Sequence, residues 1–232
     1  MKIAIMQPTY LPWIGYFGLI NSVDLFVFLD SVQFDKRSWQ QRNKIKSPTG
    51  SLYLTVPVLS KGLNKQKIKD VRIEKNQEFY KKHINSIKHN YNKSLFYNKY
   101  SEKIFKLISN ENEYLCDLNI QLIKLISSIL GIKTKTIISS DLKSNGKKSE
   151  LLASICLEVG ANEYVSPLGS KNYLNKTDIF LKKNISLKYF YFKHPIYSQL
   201  FNKFEYNLSV LDLLMNCGNK SLDIIKLSSS VK

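Results

Sequence analysis

Two short apolar runs near the start of the chain constrain its fold more than any other feature. Lys2–Gln7 (KIAIMQ) and Asp24–Asp30 (DLFVFLD) each have the length and continuous hydrophobicity of a strand buried on both faces. Between them lie the turn-rich segment Pro8-Thr9-Tyr10-Leu11-Pro12 and one short helical stretch, Gly15–Ser22. Strand, helix and strand in that spacing form a βαβ unit, which requires a parallel sheet covered by helices. Ligands of such sheets gather beyond the carboxyl ends of the strands, where Gln7–Tyr10 and Asp30–Gln33 fall.

The remaining pattern extends that unit. Leu52–Val58, Lys69–Ile73, Lys135–Ser140, Glu163–Ser166 and Leu187–Phe192 are expected strands. Helical periodicity covers Glu78–Tyr91, Leu95–Ile108 and Glu113–Leu130, the last closed by Gly131, and returns over Lys148–Val159 before Gly160. Asn207–Cys217 is a further helix, with Ser209 as its N-cap. The expected fold is α/β, a mostly parallel, Rossmann-like sheet flanked by helices, with a helix-rich segment at about 77–130. One domain spans residues 1–218, and the polar tail 219–232 is expected to fray.

Charge and cysteine content narrow the function classes. The 232 residues carry a formal net charge of +17, which invites a nucleic-acid reading, yet only Arg37, Arg42 and Arg72 are arginines among 35 basic residues. Lysines scattered among asparagines and isoleucines fit a compositional bias as well as a footprint, so nucleic acid is a minor expectation and anionic small molecules the main one. Cys116, Cys156 and Cys217 are odd in number and widely spaced, without disulfide or metal-ligand spacing. No apolar run reaches a membrane span and the start lacks a secretory signal, so no integral span is expected and a reducing cytoplasm is the expected home. No metal and no cofactor is expected. Nucleophile elbow, HExxH, Walker loop and CxxC are all missing.

Four constellations could carry chemistry. In Gln7-Pro8-Thr9-Tyr10-Leu11-Pro12-Trp13, continuing to Tyr16, two prolines stiffen a loop, Trp13 and Tyr16 offer flat faces, and Gln7, Thr9 and Tyr10 add polar groups. The alternative is an aromatic plug. In residues 30–44, Gln33, Lys36, Arg37, Trp39, Arg42 and Asn43 follow a buried strand, and two guanidinium forks suit phosphate or carboxylate. The alternative is a structural pair with Asp30 or Asp35. Ser166, Gly169 and Ser170 open a loop whose backbone N–H groups could hold an anion, or form a plain turn. Asp30 and His194 are the acid–base candidates, whereas His83 and His89, six apart on a lysine-rich helix, are expected at the surface.

Taken together, MQPTYLPWIGYF, FVFLDSVQFDKRSWQQRNKI, LTVPV before Lys61-Gly62, YVSPLGSKNYL, HPIYSQL and NLSVLDLLMNCG resemble the WbqC-like protein family, over nearly the whole chain. The resemblance implies a bacterial or archaeal protein of O-antigen or other surface-polysaccharide synthesis. It would be a transferase acting on a nucleotide-linked or lipid-linked sugar, with N-acylation or aminoacylation of an amino sugar as the reaction and an acyl or aminoacyl donor as partner. Met6 departs from the pattern, which has histidine before Gln-Pro. In the alternatives the chain is a basic adaptor of glycan enzymes at an anionic membrane surface, or it binds tRNA. A more distant likeness is to nucleotidyltransferase-type Rossmann enzymes such as pantothenate synthetases, with Ser166–Asn172 in place of their Ser-rich loop. Their HxGH histidines are missing, because residues 12–16 read PWIGY.

Overall fold

The computed structural model describes residues 1–63, 65–75, 78–201 and 203–232. In chain order the elements are β1 (Lys2–Met6), α1 (Ile14–Asn21), β2 (Leu25–Phe28), β3 (Arg42–Ser47), β4 (Gly50–Thr55), α2 (Phe79–Tyr91), α3 (Tyr97–Ile108), α4 (Leu115–Leu130) and β5 (Lys135–Ile138). They continue with α5 (Ser149–Glu158), β6 (Glu163–Pro167), α6 (Lys171–Leu174), α7 (Ile179–Lys182), β7 (Ser186–Phe192), α8 (Val210–Cys217), α9 (Ser221–Leu227) and β8 (Ser229–Val231). The expected start of the helix-rich segment, Gln77, lies outside the described residues.

Six strands form one sheet in the order β5-β2-β1-β6-β7-β8, parallel except for β8, which runs antiparallel to β7. Strands to one side of β1 follow it early in the chain and those to the other side follow late. That is the doubly wound arrangement, with its switch point between β1 and β6. Period-two alternation explains the double cover. Ala4, Phe26 and Phe28 face a core shared with α1, α4 and α8, whereas Ile3, Ile5, Leu25 and Val27 face a second core built with α5 and α7. Each fully buried side chain of this kind contributes about 1.5–3 kcal/mol. The helix stops follow the sequence: Gly131 caps α4 at φ 81°, and the Ser209 hydroxyl accepts from the Leu211 N–H at the start of α8.

Three expectations change. Residues 42–47 form β3, which pairs with β4 as a separate antiparallel hairpin, so Arg42 and Asn43 sit on a strand and not on a loop. Lys69–Ile73 is no strand. Ile68–Asp70 is a 3₁₀ turn, because the Ile68 and Lys69 N–H groups donate to the carbonyls of Val32 and Asp30, and only isolated bridges at Arg72 and Ile73 follow. The tail folds: α9 buries Ile225, and β8 covers the edge of β7, with Lys232 and Tyr189 exchanging backbone bonds of 2.8 and 3.0 Å. No described helix is long and apolar enough to cross a membrane.

Candidate functional site

The loop between β1 and α1 crosses the carboxyl end of the sheet, and amide side chains hold it there. Asn43 Nδ2 donates to the carbonyls of Leu11 (2.7 Å) and Tyr10 (3.3 Å), and Asn119 Nδ2 donates to those of Gln40 (2.7 Å) and Pro8 (3.3 Å). Gln40 Nε2 donates to Gln7 Oε1 at 2.9 Å, and the Tyr10 N–H donates to the Trp39 carbonyl at 3.0 Å. Buried carbonyls must be paired, and this loop has no ladder to join, so the amides of Asn43 and Asn119 pair its carbonyls, while the Gln40–Gln7 bond and the Tyr10 N–H fasten it to the segment at residues 39–40.

Two cavities flank the loop. A crevice of about 330 Å³ opens at the switch point, walled by the ends of β1 (Ile5, Met6, Gln7), β2 (Leu29) and β6 (Tyr164, Pro167), with Ser38, Gln40, Ser170 and Tyr173 around it. A second cavity of about 260 Å³ is lined by Trp13, Tyr16, Asn43 and Asn207. Met6, Thr9 and Trp39 belong to both walls. Among the described residues, neither lining contains a carboxylate, imidazole, amine or thiol. Trp13 turns its edge to Phe192 at 5.1 Å and folds over Gly15, where an added Cβ would come within 2.3 Å of its ring. Trp39, half exposed, stacks on Tyr53 of β4, with centroids 6.4 Å apart. Over Tyr53 lie Arg42 at 4.8 Å and Lys44 at 5.2 Å, both cations on one face of the hairpin.

The structure therefore brings Gln7, Thr9, Trp13, Tyr16, Trp39, Asn43 and Ser170 to the cavities and places Arg42 one ring beyond the wall. Other candidates lie elsewhere. Arg37 and Lys36 are exposed and line neither cavity; Arg37 has φ 63° and its N–H donates to Gln41 Oε1. Gln33 forms an isolated bridge with Lys67, away from both linings. Tyr10 is fully buried, its hydroxyl 2.8 Å from His83 Nδ1. Ser166 is buried with its hydroxyl on the Pro167 carbonyl, Gly169 faces open space, and α6 has only four residues, which leaves no helix N-terminus for an anion.

Both acid–base candidates have structural jobs. Asp30 is 2% exposed, and its carboxylate accepts from Ser139 Oγ (2.8 Å), the Ser140 N–H (2.9 Å) and Ser140 Oγ (2.7 Å), tying the end of β2 to the turn after β5. His194 Nε2 accepts from the Asn207 N–H at 3.1 Å, so Nδ1 carries the proton and donates to the Pro195 carbonyl at 2.8 Å. Desolvation lowers its pKa, which favours the neutral ring. His83, expected at the surface, is buried between Tyr10 and the Thr55 carbonyl, and desolvation lowers its pKa to about 4; His89 is exposed as expected. Burial pushes the Cys116 and Cys156 thiols up to about 12, which removes them as nucleophiles. Sequence reasoning missed Gln40, Tyr173 and Asn207. The repeated amides of Gln40-Gln41-Arg42-Asn43 are the signal that could have found the first.

Fold and site together define a doubly wound α/β protein with a crevice at its switch point and an aromatic-walled cavity beside it, the described residues of both linings being uncharged. The chain belongs to the WbqC-like protein family, whose match covers residues 7–224. It is also 35% identical over 227 residues, 97% of each chain, to a protein of Mycobacterium tuberculosis (strain ATCC 25618 / H37Rv) named "Uncharacterized protein Rv1507c". No solved structure matches the chain.

Proposed function

We propose that this chain is a transferase of surface-polysaccharide synthesis that seats a nucleotide-linked amino sugar at the switch point of its sheet. One observation supports the reading above the others: the Trp39 ring stands at an uncharged, hydroxyl- and amide-lined crevice, with two cations held one ring further out. A pyranose presents apolar C–H faces to an indole and hydroxyls to groups such as Thr9, Ser170 and Tyr173. The phosphates of its carrier would meet the Arg42 fork and Lys44 at the rim. The reaction is N-acylation or aminoacylation. The sugar amine attacks the carbonyl carbon of an activated acyl donor, a C–N bond forms, the donor's leaving group departs, and the amine's proton passes to water. Without a basic group in the lining, the site accelerates this step by orientation.

Thermal unfolding with UDP-glucosamine, the free-amine substrate of which UDP-N-acetylglucosamine is the N-acetylated product, with UDP and with free glucosamine tests the reading. Ligand at about 100 times its Kd stabilises the parent by about 2.7 kcal/mol. The UDP-sugar is expected to shift the midpoint most, with the shift reduced in Arg42→Ala. No shift with any of the three would end the assignment.

A further inference from the structure

The two cavities meet at Met6, Thr9 and Trp39 but differ in chemistry. The switch-point crevice draws its polar groups from Gln7, Ser38, Gln40, Ser170 and Tyr173. The smaller compartment is walled by the rings of Trp13, Tyr16 and Trp39 and by Met6, with the polar groups of its described lining being Thr9, Asn43, Asn207, the tyrosine hydroxyl and the two indole N–H groups. Tyr16 donates its hydroxyl to the Gln7 carbonyl at 3.1 Å. Asn43 is also committed: its nitrogen serves Tyr10 and Leu11, and its oxygen accepts from the Lys44 N–H. Asn207 differs. Its backbone N–H is held by His194, its φ is 56°, and among the described residues its side-chain amide has no intramolecular partner. Asparagine tolerates that left-handed conformation better than most residues, so the backbone can present the amide at the compartment's edge.

We propose that the smaller compartment is a second ligand site, which takes an uncharged aryl or acyl amide while the crevice holds the sugar, with Trp39 as the partition between them. The sugar's place rests on the function proposed above; the compartment's own chemistry does not. Its volume of about 260 Å³ accommodates one ring or a short acyl chain. The lining offers no counter-charge, so a carboxylate, phosphate or ammonium would be desolvated without compensation. An amide matches Asn207, which can donate from nitrogen and accept at oxygen in the same plane. The partition is fixed at its base, where the Trp39 carbonyl accepts from Tyr10, and at its face, where the indole stacks on Tyr53. Trp13 is likewise set by Phe192 and Gly15, so the ring walls stand before a ligand arrives.

The test titrates benzamide and UDP-glucosamine by ligand-observed NMR, each alone and each against saturating amounts of the other. Both are expected to bind together, each Kd changing by less than about twofold. Asn207→Ala is expected to weaken benzamide by about fivefold or more and the UDP-sugar by less than about twofold; Ser170→Ala is expected to do the reverse. Asn207 is exposed and its side chain has no intramolecular partner among the described residues, and Asn207→Gly, which removes the amide while tolerating the φ of 56°, is expected to give the same loss, so that strain introduced by alanine is told apart from the lost amide. Mutual exclusion of the two ligands, equal losses in both variants, or no benzamide binding overturns the second site. Benzamide binding that is lost in Asn207→Ala, with no UDP-sugar binding, keeps the compartment and overturns only the proposed sugar substrate.

Discussion

Asn43 donates from one nitrogen to two carbonyls of the loop before α1, and Asn119 does the same for Pro8 and Gln40. Both are buried, at 4% and 0% exposure, where a lost bond leaves a carbonyl that water cannot reach. Asn43→Ala should therefore cost about 2 kcal/mol or more, a fall of about 4–8 °C in Tm by calorimetry. A fall below about 1 °C would show that the loop is held by other contacts. The sequence makes Asn43 legible as a polar group beyond a buried strand, but not that its atoms are already taken, and it gives no sign of Asn119, which lies within α4. Asp30 illustrates the limit. A carboxylate after a buried strand has the chemistry of a general base, yet Ser139 and Ser140, more than a hundred positions later, occupy it. His194 reads as an acid–base group for the same reason and is occupied by Asn207 and Pro195.

At the scale of elements, the segment between β7 and α8 is where titration meets architecture. Asp212 of α8, with no exposed surface, accepts from Tyr91 Oη (3.0 Å) and Tyr197 Oη (2.9 Å), and Lys46 of β3 donates to Gln199 Oε1 (2.8 Å) and to the Lys203 carbonyl. Desolvation, opposed by these bonds and by Lys46, raises the Asp212 pKa to about 6. Its folded pKa lies above its unfolded one, so acidification towards pH 4 makes it stabilising. His83, lowered to about 4, and His194, also lowered, act the other way: the fold binds fewer protons than the unfolded chain, and stability falls as pH drops from about 6.5. The opposing contributions flatten the parent's profile between pH 6 and 4.5. In Asp212→Asn the histidine contribution is no longer opposed by Asp212, and urea unfolding should show stability falling by up to about 1.4 kcal/mol per pH unit more steeply than in the parent. Identical slopes would contradict this assignment. The same elements explain why β3 was illegible. RNKIKS looks like a charged loop, because its Asn43 and Lys46 are buried by partners and not by hydrophobicity. Lys69–Ile73 alternates like a strand, but its Lys69 N–H goes to the Asp30 carbonyl, those of Asp70 and Val71 turn back to Lys67 and Ile68, and that of Ile73 goes to Glu113.

For the whole molecule, the period-two runs of β1 and β2 and the glycine-stopped helices were enough to give a parallel sheet with ligands at its carboxyl end, since local pattern dictates both. The tail was not legible, because Ile225 and β8 matter only once β7 offers an open edge. The site was half legible: ring and amide residues converge as their positions suggested, whereas the guanidinium of Arg42 stands at the rim and that of Arg37 outside the lining altogether. In the proposed function, binding depends on an uncharged cleft partitioned by one indole, with charge acting at its edge. The most direct measurement is calorimetric titration of UDP-glucosamine into the parent and into Trp39→Ala. Saturable binding that weakens by about tenfold or more without the indole is the expected result. Equal affinity in the two proteins, or no saturable heat in the parent, would contradict it.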